Sequence, residues 1–165
     1  MNVYQQRYWN HLKELKTHVI YLHNYAAQSE WWDKAINIFL AITSSSSIAA
    51  CAVWQTYDLL WAFIIALSQV VTAVKPFLPY RQRLKAISAL NDKIQEISLK
   101  SEKNWYGVAE GELTEKEIHE LCIALKNESL IAEIKFLKNL ILPKKENLLK
   151  RAEKEADIYL KNNYF

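Results

Sequence analysis

The sequence predicts an all-helical protein: a transmembrane helical hairpin joined to a cytoplasmic bundle of long amphipathic helices. Three observations predict it. A stretch of twenty-two residues without a charge, Ala35 to Thr56, is followed by a second apolar run, Leu59 to Val74. Aromatic and basic residues crowd the flanks of this pair. Elsewhere apolar residues recur at steps of three and four, and no segment reads as a strand.

The first 30 residues form the opening segment. Tyr8, Leu12, Leu15, Val19, Leu22 and Ala26 lie on one helical stripe, which predicts an amphipathic helix from roughly Val3 to Gln28. Residues 31–80 follow as the hairpin. A helix as long as the first uncharged run rises ~33 Å, about the hydrocarbon thickness of a bilayer. The second run is shorter, but Lys75-Pro76-Phe77-Leu78-Pro79-Tyr80 extends it with one lysine able to reach the headgroups. Trp31 and Trp32 before the first span, Trp54, Tyr57 and Trp61 about the turn, and Phe77 with Tyr80 at the end make an aromatic belt at both interfaces. Lys34 precedes the hairpin and Lys75, Arg81, Arg83 and Lys85 follow it, whereas the turn carries only Asp58. By the positive-inside rule both termini are cytoplasmic. The alternative is a hairpin buried inside a soluble bundle, which would need two adjacent helices apolar on every face.

Residues 81–165 are the cytoplasmic helical region. Leu84, Ile87, Leu90, Ile94 and Ile97 predict a helix to about Lys103, and Ile118, Leu121, Leu125, Ile134, Leu137 and Ile141 another running up to Pro143. Gly107 and Gly111, the only glycines, mark the loop between them, and Thr114-Glu115-Lys116-Glu117 matches a capping box with Thr114 as N-cap. Pro143 either kinks a long helix or opens the first turn of its successor, Lys144 to Asn162. Mean hydropathy is −0.15 because a greasy hairpin is averaged with a charged remainder: seventeen of the twenty-one basic and fourteen of the eighteen acidic residues lie from Lys75 onward. Cys51 and Cys122 fall in different environments, so no disulfide is expected. No cleavage site precedes the long span, so the hairpin is expected to be retained.

Thr43-Ser44-Ser45-Ser46-Ser47 puts five hydroxyls in the middle of the first span. Hydroxyls that bond back to the preceding turn are tolerated there and allow close helix packing. The sharper reading follows the seam Asn37, Ser44 and Cys51, spaced by heptads, with Ser47 and Gln55, as the lining of a water-filled path supported by Ser68, Gln69 and Thr72 of the second span. One hairpin cannot enclose a pore, so a channel requires a homo-oligomer. His11, His18 and His23 lack cysteines at zinc spacing, and His119, Cys122 and Glu115 more resemble a helix flank with a buried thiol than a metal site. No phosphate loop, nucleophile elbow or zinc-protease motif occurs, so neither an enzyme nor a cofactor is expected. Lys135, Lys138, Lys144, Lys145, Lys150, Arg151 and Lys154 are either a solvated face interleaved with Glu146, Glu153 and Glu155 or an anionic-ligand site near a helix N-terminus. Trp105 and Tyr106 either stack on a base from a loop or, for the tryptophan, pack in the core.

The order of elements resembles the SLATT family, bacterial two-transmembrane effectors associated with nucleotide-signal systems. The stretch that carries the resemblance runs from the first helix through Trp31-Trp32-Asp33-Lys34, the hairpin to Lys75-Pro76, and the helix from Arg81 to Lys103. The resemblance implies a two-span protein of the bacterial inner membrane, forming a membrane-disrupting pore in anti-phage defence. It also implies a switch by a nucleotide or oligonucleotide from a partner nucleotidyltransferase, with single-stranded DNA as the signal in the Hailong-type branch. The family supplies no ligand-contact motif to transfer onto these residues. The rival function is a membrane-anchored scaffold whose helical faces recruit a cytoplasmic partner.

Overall fold

The computed structural model describes the backbone except for residues 54–57, 76–79, 139 and 165; side chains are also left out at 45–53, 58, 61, 80 and 81. Five helices account for nearly all the rest: α1 (Val3–Val53), α2 (Asp58–Val74), α3 (Tyr80–Ala109), α4 (Glu115–Leu137) and α5 (Glu146–Tyr164). There is no strand among the described residues.

Three boundaries differ from expectation. The first amphipathic helix does not stop near Gln28 but continues into the uncharged run as one helix of 51 residues, because no glycine or proline lies between Val3 and Val53 to break it. Past Lys103, α3 continues to Ala109, which places Trp105, Tyr106 and Gly107 in a helix rather than a loop. The turn itself falls at Gly111, whose φ of 75° is open to glycine and strained for other residues. α4 ends at Leu137 rather than at Pro143; Leu140 N–H closes a last turn on the Leu137 carbonyl at 2.9 Å. At the other end of α4 the capping box forms: Thr114 Oγ1 accepts from Glu117 N–H and the Glu117 carboxylate accepts from Thr114 N–H.

The chain divides into two units: residues 1–27 with 83–165, and residues 28–82. In the first, the start of α1 and all but the first turn of α3 pack with α4 and α5. Gln5 meets Val108 and Tyr8 meets Ser101, so α1 and α3 are antiparallel. Tyr4 against His119 and His18 against Glu133 make α4 parallel to α1. Lys13 against Asp157 and Trp9 against Tyr164 make α5 antiparallel to it. The result is a four-helix bundle. Its core joins Tyr8, Leu12, Leu15 and Leu22 to Ile87, Leu90, Ile94 and Ile97 of α3, Ile118 and Leu125 of α4, and Leu160 of α5. The sequence stripes of α1 and α3 are thus the buried faces.

Within that core sits one ionic knot. Glu102, 13% exposed, accepts from Lys16 Nζ at 3.1 Å, from Tyr159 OH at 3.0 Å and from Tyr164 OH at 3.3 Å. Lys16 Nζ also lies 3.5 Å from the centroid of the Tyr159 ring. Burial and the neighbouring carboxylate push the Tyr164 phenol up to about 12, so it stays a donor at any ordinary pH.

Candidate functional site

The second unit reverses the usual arrangement. Lys75, just beyond α2, donates to Asn37 Oδ1 on α1, so the end of α2 lies beside the beginning of α1's uncharged run and the two helices are antiparallel. Asn37 Nδ2 in turn donates to the Asp33 carbonyl at 2.8 Å and to its carboxylate at 3.2 Å. A lysine, an amide and a carboxylate therefore form a chain linking α1 to α2. About two turns further into the hairpin, Thr43 on α1 and Ser68 on α2 are buried. Their hydroxyls donate to the preceding turn, Thr43 to the Phe39 carbonyl at 3.0 Å and Ser68 to the Ile65 carbonyl at 2.8 Å. Thr72 does the same to Ser68. These bonds satisfy the polar groups inside the helices themselves.

Ile36, Phe39, Leu40, Ile64, Ile65 and Val71 are half-buried, but many other large apolar side chains are not. Ile38, Ile42, Leu59, Leu60, Phe63, Leu67, Val70 and Val74 are all exposed, Phe63 by 65%. Trp31 and Trp32 are also exposed and meet edge to face at 4.9 Å. Water penalises such a surface, and monomers in water rarely carry one this extensive.

Among the described residues no helix is long and apolar enough to cross a membrane. α2 is described over 17 residues, and the side chains of α1 beyond Ser44 lie outside the description.

Of the pore-lining residues expected from sequence, Asn37 is turned onto α2 and both ends of its amide are engaged within one chain. Ser44 is exposed and donates to the Ala41 carbonyl at 3.0 Å. The side chains of Ser47 and Cys51, and all of Gln55, lie outside the described residues. Of the interface residues, so do Trp54 and the side chains of Trp61 and Tyr80. Lys75, expected to reach headgroups, instead bonds Asn37. The signal that was available was Asp33 and Asn37 one helical turn apart.

The ligand-binding residues expected in the bundle separate. Trp105 is only 9% exposed, stacked on Tyr8 and tilted against Trp9 at 4.8 Å, so its ring is packed in the core and not presented to a base. Arg151 pairs with Glu155 at 2.7 Å, and the arginine holds that carboxyl below its ordinary range. Lys145 lies over the Tyr25 ring at 4.4 Å, and its backbone N–H donates to Tyr21 OH at 3.2 Å. Lys135, Lys138, Lys144 and Lys150 are exposed. Lys135 lies in the last turn of α4, Lys138 and Lys144 between α4 and α5, and Lys150 one turn into α5.

Periodicity gave no warning of the cleft between α1 and α4. Arg7, His11, Glu14, His119, Cys122 and Lys126 line a space of about 360 Å³. His11 is buried; its Nδ1 lies 3.5 Å from Glu14 Oε2, and its Nε2 has no partner among the described residues. Burial pushes the imidazole below its ordinary value despite Glu14, and burial likewise raises the Cys122 thiol. No group of three or more His, Cys, Asp or Glu among the described residues is arranged to hold a metal ion.

No family model, no curated protein and no solved structure matches this chain.

Proposed function

We propose that the chain is a membrane effector. Residues 28–82 cross a bilayer twice, and several copies assemble into an ion-conducting or membrane-disrupting pore. The observation that carries this reading is the burial pattern of the hairpin: the Thr43 and Ser68 hydroxyls are buried and a half-buried lysine–amide link joins the helices, while leucines, isoleucines and Phe63 are exposed. Lipid is the solvent such a surface suits, and back-bonded hydroxyls are the polar groups it tolerates. Bracketing tryptophans at 31 and 32 and the basic residues after α2 support both termini lying on the cytoplasmic side, in the bacterial inner membrane. The bundle of α1, α3, α4 and α5 is then the sensing part. α1 and α3 carry chain continuity from it into the hairpin, so a ligand that binds one bundle arrangement better than another shifts the pore. The resemblance to two-transmembrane effectors makes that ligand a nucleotide or oligonucleotide supplied by a nucleotidyltransferase, in anti-phage defence.

The test is ion flux through liposomes containing the purified protein, with and without cyclic nucleotides and single-stranded oligonucleotides, beside a Ser44→Leu/Ser47→Leu variant. Flux that answers to a ligand and vanishes in the variant is the expected result. Inserted protein that stays impermeable throughout overturns the pore.

A second reading has its own observation. Ile123, Leu130, Ile131 and Ile134 of α4 are exposed, an apolar face that a membrane-anchored scaffold would offer to a cytoplasmic partner. On that reading an unrelated hairpin replaces residues 35–74 without loss of function; a pore does not survive the exchange.

A further inference from the structure

Acidic and basic side chains concentrate at opposite ends of the bundle, with Lys116 among the acids and Glu146 beside the lysines. At one end lies the α3–α4 turn with Glu110, Glu112, Glu115 and Glu117, all exposed. At the other lies the α4–α5 turn, residues 138–145, flanked by Lys135, Lys138, Lys144 and Lys145. The contacts of Lys145 with Tyr21 and Tyr25 fix this basic end as the one where α1 leaves the bundle at Ala27 and α3 joins it from Arg83, beside exposed Lys85. At the tip of the basic turn stands Ile141, 86% exposed, while its neighbour Leu142 packs against the core. Pro143, which fixes its own φ, follows directly.

We infer that the α4–α5 turn docks on an anionic bilayer, Ile141 entering the interface and Lys138 and Lys144 meeting lipid phosphates. The inference rests on the hairpin reading, in which the chain runs on from Ala27 into the spans within a few residues. An apolar tip flanked by lysines is the composition of an interfacial anchor: the side chain gains by leaving water, and each lysine near the surface gains from the negative leaflet. A soluble phosphate ligand would use the lysines but leaves Ile141 unexplained. A second copy meeting this turn across a two-fold axis would set lysine against lysine.

The experiment is hydrogen exchange on the full chain reconstituted in phosphatidylcholine vesicles, with and without phosphatidylglycerol. Amides of residues 140–142 should exchange roughly tenfold more slowly in the anionic vesicles, while the acidic turn at 110–113 does not change. Ile141→Glu and, separately, Lys138→Gln/Lys144→Gln should abolish the difference. Equal exchange in the two vesicles overturns the inference, as does protection produced in neutral vesicles by inorganic phosphate alone, which would mark a soluble-anion site. Extraction of the protein by alkaline carbonate overturns the hairpin reading and this inference with it. Retention in the membrane without turn protection overturns this inference alone.

Discussion

The two units of the chain bury opposite chemistry. In the bundle, Tyr8, Leu12, Ile87 and Ile94 are fully enclosed and charges such as Lys100 and Glu128 pair at the surface, 3.0 Å apart. In the hairpin, Thr43 and Ser68 are enclosed while Leu59, Phe63 and Val70 are exposed. On the membrane reading the two units answer to different solvents. The bundle follows the hydrophobic effect in water, whereas the hairpin is arranged as though its surroundings were apolar and its polar groups had to be satisfied within. The contrast carries more weight than either half, because both halves are built from the same helix geometry and, through α1, from one continuous helix.

The largest effect that sharpens the contrast comes from removing the same kind of bulk on each side. Ile94→Ala opens a cavity in the closed bundle core and should cost ~2–5 kcal/mol in thermal or denaturant unfolding. Phe63→Ala removes a larger side chain from an outward position and should leave the stability of the reconstituted hairpin within about 0.5 kcal/mol. Comparable losses would mean that Phe63 is covered by protein, and the inverted burial would then belong to a larger closed core.

Introducing charge tests the solvent directly. Phe63→Lys, placed in lipid, should cost about 2.5–3.5 kcal/mol of insertion and reduce the carbonate-resistant fraction severalfold. Leu99→Lys, at an exposed apolar position of the bundle, is the matched control, with an expected change within about 0.5 kcal/mol. If both lysines are tolerated, the hairpin surface faces water.

A third comparison sets the two polar links against each other. Glu102→Gln takes the anionic partner from Lys16, which is itself 17% exposed, and weakens the anchoring of Tyr159 and Tyr164. The expected cost is ~1–3 kcal/mol in bundle stability, with α5 exchanging its amides first. Asn37→Leu removes the link in the hairpin and should shift the bundle's melting much less. It does, however, strip Lys75 of its partner, so any change in ion flux should be larger than the change in melting.

Periodicity made much of the bundle legible. Stripes such as Leu12–Leu15–Leu22 and Ile87–Leu90–Ile94 are buried because a helix that repeats apolar residues every third or fourth position has one face water rejects. Thr114 was equally readable, since a capping box is a local matter of four residues. Glu102 and His11 were not. Each sits beside an apolar stripe where charge ordinarily turns outward, and only the arrival of Tyr159, Tyr164 and Lys16 around the one, and of α4 over the other, encloses them. Ile134 and Ile141 failed in the opposite sense: Ile134, inside α4, is turned about 180° from buried Leu125, and Ile141 lies beyond the end of α4 at Leu137, so both are exposed.

The smallest expected effect is one of pH, and it separates the units because all four histidines lie in the bundle. His11 faces Arg7 and Glu14 on its own helix and His119, Cys122 and Lys126 across the cleft; His18 faces Glu133 and is likewise pushed down by burial. A histidine whose folded pKa lies below its ordinary value of 6.5 binds its proton more readily in the unfolded chain. Protonation therefore favours unfolding: the contribution is fully present above the ordinary value and is lost as pH falls through it towards the lowered one. Glu117 and Glu128 are held below their ordinary 4.5 by Thr114 and by Lys100 with Lys93, so their losses begin only in more acidic solution. Between about pH 7 and about pH 5 the bundle's melting temperature should fall, and His11→Gln should flatten part of that slope, whereas the melting of the hairpin, which contains no histidine, should stay level. A slope unchanged by His11→Gln would assign the proton uptake to His18, and a hairpin that melts with the same slope would show the two units to unfold as one.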